Sequence, residues 1–155
     1  MKKIILIFTV LLTACNSKTN IMSSTEIFQK GEPVPKDWFT GNAFLKPLIA
    51  RDKNNEFSAG SVTFEPGART NWHTHPKGQV LLVIEGQGLY QEKGKPAQVI
   101  QKGDVINIPE DVEHWHGASS ETKMVHVAIT NFKGDTQVTW LDAVTDEEYK
   151  TANEK

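Results

Sequence analysis

From residue 44 to residue 131 the chain never runs far without a turn signal, and that rhythm restricts it to β-structure. Short apolar runs at 44–50, 58–64, 79–85, 88–92, 97–101, 104–108 and 123–131 are separated by turn residues. These are Asp52-Lys-Asn-Asn, Glu65-Pro-Gly, Pro76-Lys-Gly, Glu85-Gly-Gln-Gly, Lys93-Gly-Lys-Pro, Lys102-Gly-Asp and Pro109-Glu-Asp. Such runs suit strands, and many short strands at this spacing predict an antiparallel β-sandwich or barrel. No helical period competes before the C-terminus. There Thr145-Asp-Glu-Glu148 has the spacing of a capping box and predicts a short helix toward Tyr149, with Trp140-Leu-Asp-Ala-Val packing it on the barrel. At 155 residues, without an internal repeat, the chain reads as one domain with a full core.

Four side chains of metal-ligand type are set into this β-pattern: His73, His75, Gln79 and His114. In a strand, residues i and i+2 share a face, so His73 and His75 aim two imidazoles at one point. Gln79 has the same parity, but Pro76-Lys-Gly intervenes and alternation does not fix its direction. His114 comes from a later strand. All four donors are neutral, so a divalent ion held among them keeps its charge and its Lewis acidity. Imidazoles suit Zn, Cu, Fe or Ni, and an oxygen donor also admits Mn. His116 lies two residues after His114, so alternation places it on the same face, where it also suits a hydrogen-bonded structural histidine. Trp72 and Trp115 adjoin ligands and point away from them by alternation, which suits packing. Arg69 reads as a structural ion-pair partner.

Residues 1–14 have the form of an export signal, with Lys2 and Lys3 before an apolar stretch from Ile4 to Leu12 that is too short for an ordinary membrane span. It ends in Leu12-Thr13-Ala14-Cys15, and Cys15 is the sole cysteine. This resembles a bacterial lipobox, which implies a lipid anchor at Cys15 and a periplasmic or outer-membrane-attached protein; a plain secretory signal is the alternative. With one cysteine, no intramolecular disulfide is available. Residues 15–35 read as a flexible tether leading into an arm, 36–150 as the folded domain, and 151–155 as a tail. The stretch from Gly31 to Asn42, with Trp38 and Phe39, reads as an ordered arm rather than a helix. A formal charge of -2 with scattered Lys and Arg gives no basis for nucleic-acid binding.

The same residues carry a family resemblance. Gly67, His73, His75, Gln79 and Gly86 match the cupin motif G-x5-H-x-H-x3-E-x6-G, with Gln in place of Glu. Gly103, Pro109 and His114 match G-x5-P-x-G-x2-H-x3-N, with Asp111 and Ala118 replacing Gly and Asn. The segments Asp37-WFTG, Ser61-VTFEPGART-Asn71-WHTHP and His114-WHGA resemble small bacterial cupins of the manganese-dependent hydroxynitrile lyase kind, from about Lys36 to Tyr149. In that group the Glu-to-Gln change is also seen.

The resemblance implies an antiparallel, jelly-roll-like cupin barrel, with His73, His75, Gln79 and His114 binding the metal. It implies manganese first, with iron, nickel or zinc as alternatives. His116 and His126 match family histidines that face the pocket, one of them the base, although His126 equally suits a satisfied core histidine. Thr70 and Thr130 are further pocket candidates. The implied reaction cleaves or forms a cyanohydrin, a small-molecule substrate. A metal-dependent dioxygenase and a non-catalytic small-ligand-binding module stay open beside it. Exposed strand edges and the Trp38-Phe39 arm suit a homodimer or higher homo-oligomer.

Overall fold

The computed structural model describes residues 26–154. The signal at 1–14, Cys15 and most of the tether lie outside the described residues. Within them the chain forms β1 (Glu32–Pro33), β2 (Phe39–Thr40), β3 (Ala43–Ile49), β4 (Phe57–Phe64), β5 (Arg69–Thr70) and β6 (His73–Thr74). Next come β7 (Gln79–Glu92), β8 (Gln98–Gln101), β9 (Val105–Ile108), β10 (His114–Ala118), β11 (Met124–Asn131), β12 (Thr139–Trp140) and helix α1 (Asp146–Asn153). All the strand pairings are antiparallel. One face runs β1-β3-β4-β11-β7 with β9 on β7; the other runs from β7 through β10 and β5 to β2, with β8 on β7. The expected antiparallel barrel with a short C-terminal helix is what the chain forms.

The turn signal at Glu85-Gly-Gln-Gly does not end a strand. Residues 79–92 are one continuous strand shared by both faces. Val125 pairs with Glu85 and His126 with Val83, so Ile84 is an extra residue on β7. This bulge bends the strand and reverses its side-chain parity. Leu81 and Val83 face the interior, and beyond the bulge Tyr90 does so while Leu89 faces outward. Gly86 supports the bend at φ 72, where an added Cβ would lie 1.8 Å from the Lys123 carbonyl oxygen. The glycines that read as a loop therefore build a corner.

Two apolar clusters hold the barrel. The interior one includes Val62, Phe64, Leu81, Val83, Ile100, Ile108 and Met124. The second lies outside β10, where Trp72, Leu89 and Trp115 pack under Val144, Tyr149 and Ala152 of the C-terminal segment. A fully buried Trp115 alone removes enough apolar surface to contribute about 2–3 kcal/mol. Helix α1 starts at Thr145 with both halves of a capping box, as its spacing predicts. It continues to Asn153, so ordered structure extends past residue 150 into the segment read as a tail. Ala152 is buried and Asn153 Nδ2 donates to the Tyr149 carbonyl, so packing holds that last turn in the absence of any sequence stop signal.

Arg69 ties the helix to the sheet. Its guanidinium donates to the Val144 carbonyl (3.0 Å) and to Asp146 (2.7 Å) and lies over the Tyr149 ring. The arm is ordered: β1 pairs with β3, β2 pairs with β5, and Trp38 stacks on Trp140.

Candidate metal centre

Strands β6, β7, β10 and β11 converge on one group of buried polar side chains. His114 lies opposite His73 in the β10–β6 register and Thr130 opposite Gln79 in the β11–β7 register. The ring centroid of His73 lies 4.2 Å from His114, 5.0 Å from His75 and 5.3 Å from His116. One ring nitrogen from each of His73, His114 and His116 falls within 4.8 Å of the others. His75 adjoins the same group, with its ring 5.5 Å from that of His114. The amide of Gln79 lies beside His75.

Three of the rings share a brace. Nδ1 of His73 meets the Asn71 carbonyl at 2.9 Å, that of His75 the Gln137 carbonyl at 2.6 Å, and that of His114 the Val112 carbonyl at 2.8 Å. A carbonyl can only accept, so each Nδ1 carries the proton and each Nε2 presents a lone pair. Nε2 of His75, Nε2 of His114 and Oε1 of Gln79 are buried with no hydrogen-bond partner. Such donor atoms cost about 1–3 kcal/mol apiece when left unmatched. Together they form what a cation-binding site requires: several lone pairs, backed by fixed outer hydrogen bonds. These residues fit a divalent ion.

His116 is arranged differently. Its Nδ1 lies 3.2 Å from Nε2 of His126, and its own Nε2 is buried without a partner. The tautomer in which His116 Nδ1–H donates to His126 leaves His116 Nε2 free to accept a proton. Burial lowers the proton affinity of all five histidines. It brings His114 to about 4 and His126 to about 3, while at His73 and His116 the neighbouring imidazoles depress it further. The cluster is therefore neutral at pH 7.

A cavity of about 330 Å³ opens from this centre, walled by Phe39, Leu45, Ile49, Val62, Phe64 and Trp140. Its polar lining comes from His73, His75, Gln79, His116, His126, Thr70, Thr130, Ser58 and Gln137, and none of its lining residues is charged. Trp140, whose ring lies 4.9 Å from that of His73, was legible only as packing for the C-terminal segment. The carbonyl of Gln137 has no sequence signature at all. Asp111, which stands where the resembled motif has glycine, adopts φ 58 and donates its N–H to the His75 carbonyl. The turn keeps its left-handed geometry because aspartate tolerates that region better than most residues. Trp72, Trp115 and Arg69 take the structural places their positions imply.

A family model described as a cupin domain matches residues 60–130. The chain is similar to (R)-mandelonitrile lyase of Granulicella tundricola, 45% identical over 116 residues, which covers 75% of this chain and 88% of that protein. It is also similar to the crystal structure of a cupin-like protein from Thermotoga maritima, at 46% identity and a TM-score of 0.79, covering 83% of this chain and 98% of that one. The structure of a DMSP lyase from Ruegeria pomeroyi, at 17% identity and a TM-score of 0.55, covers 67% of this chain and 52% of its own and shares the fold alone.

Proposed function

The chain belongs to the cupin family, and from that premise we propose that its buried cluster binds a divalent ion, manganese first, and cleaves or forms cyanohydrins. The observation that carries this reading is the set of buried, braced and neutral donors. His73, His75 and His114 share the carbonyl brace that fixes a ligand tautomer, and Gln79 turns an unpartnered oxygen toward them. His116 lacks that brace and takes the role of base. A bound ion would supply Lewis acidity toward the hydroxyl oxygen of the substrate.

His116 Nε2 accepts the hydroxyl proton, with its Nδ1–H held by His126 as the imidazolium forms. The C–C bond to the nitrile carbon breaks, the aldehyde C=O forms, and cyanide leaves with the electron pair. Cyanide then takes the proton from His116 and departs as hydrogen cyanide. The ligand set has no carboxylate, so nothing in it repels the leaving anion. The apolar, uncharged walls suit a neutral substrate of modest size. The similarity to a mandelonitrile lyase supports the same reading. The lipobox-like sequence at Cys15 supports export, which puts the reaction outside the cytoplasm.

The test is release of benzaldehyde from mandelonitrile by manganese-loaded protein. Turnover that depends on manganese, and that falls at least about 100-fold in His116→Ala, is expected. Background rates with manganese demonstrably bound would reject the lyase reading. Oxygen uptake that needs both iron and an organic substrate would favour the dioxygenase instead.

A further inference from the structure

Gln79 differs from the histidines around it because a half-turn of its amide exchanges two unlike ends. One end is an oxygen that can hold a cation, and the other is an NH₂ that repels one. In the structure Nε2 donates to Thr130 Oγ1 at 2.9 Å, and Oε1 is buried without a partner. Thr130 is the directly opposite residue on β11 and is itself buried, so the sheet register fixes this contact. The alternative orientation also has a partner. The amide stands beside His75, whose Nε2 presents a lone pair that could accept from a reversed NH₂. Without a metal the amide NH₂ thus finds an acceptor in either orientation, and only one of the two orientations is able to bind a metal.

We infer that Thr130 is a positioning residue for the metal site: by accepting from Gln79 Nε2, its hydroxyl holds the amide oxygen toward the centre. The inference rests on the reading of this cluster as a divalent-metal site. Without the hydroxyl, binding would leave a buried NH₂ with no acceptor, while the unloaded protein could turn that NH₂ onto His75. Thr130→Val removes the acceptor at nearly constant volume. Thr130→Ser keeps it. A glutamate at position 79 presents an oxygen in both orientations, so in that background there is no amide to orient.

The experiment is titration of metal-free protein with Mn2+, read by calorimetry and by loss of the electron paramagnetic resonance signal of free Mn2+. Thr130→Val is expected to weaken binding by about 10-fold or more, and Thr130→Ser by less than about 3-fold. In the Gln79→Glu background, Thr130→Val is expected to cost less than about 3-fold, a non-additivity that a merely structural threonine would not produce. Wild-type affinity in Thr130→Val, or an equal loss in both backgrounds, overturns the inference and leaves the metal site standing. Failure of the wild-type protein to bind Mn2+ overturns the metal site and the inference with it.

Discussion

Acid should unfold the metal-free protein by a route set almost wholly by its histidines. All five are buried, and each has a proton affinity below the ordinary value of 6.5. The unfolded chain takes up a proton at each as the pH falls through about 6.5, while the native barrel does not. His114 waits until about 4 and His126 until about 3. The unfolded state binds more protons throughout that window, so native stability is intact above it and falls as the pH falls. His114 and His126 each contribute a slope approaching about 1.4 kcal/mol per pH unit, so these two alone remove about 2 kcal/mol between pH 6 and pH 5, and His73 and His116, held well below the ordinary value, add to the loss in the same direction. Domains of this kind are stable by about 5–15 kcal/mol, so the loss is a large share of the whole. Glu92, whose carboxyl is held down by Lys95, titrates at lower pH and leaves this window to the histidines. The assay is a series of urea titrations of chelator-treated protein from pH 7.5 to pH 5, followed by tryptophan fluorescence. A fall in stability corresponding to at least three protons per pH unit is expected. A urea midpoint unchanged down to pH 5 would show that the histidines protonate inside the fold, and would refute the reasoning.

Manganese at about 100 times its dissociation constant should stabilise the protein by about 2.7 kcal/mol, a rise of roughly 8 °C in Tm that a chelator reverses in a thermal melt. Gly86→Ala combines a left-handed φ with a Cβ 1.8 Å from the Lys123 carbonyl, so urea unfolding should show a loss of more than about 3 kcal/mol, or no folded protein. Asp111→Val places a β-branched side chain at φ 58 and should cost about 1–3 kcal/mol by the same measurement, with Asp111→Gly restoring stability.

The sequence made the convergence of the histidines readable because each relation is local or parity-based. His73 with His75 and His114 with His116 are i, i+2 pairs, and turn residues marked the strands between them. Gln79 was less readable. Its direction depends on Thr130, a partner that alternation along β7 does not specify. The corner in β7 was misread as a loop because glycine signals a turn, a bulge and a close approach alike. The two-residue strands β1, β2, β5 and β12 escaped notice because they exist only through pairing with distant partners. Helix α1 announced its start through Thr145 and Glu148 but not its end, which depends on Ala152 packing beneath it.

Strand β10 has no wet face. All five of its residues are buried: His114 and His116 turn toward the histidine cluster, and Trp115 turns into the apolar cluster beneath the helix. The far wall is built to the opposite standard, with Leu45 at 39% and Ile49 at 43% exposure lining the mouth. One wall is thus clamped from behind and the other is open to solvent. Changes of shape on β10 propagate into a second core, whereas those at Leu45 and Ile49 meet mostly water. The pocket separates a fixed tool from an adjustable grip, so the range of molecules it accepts can drift along β3 while the chemistry at β10 stays unchanged.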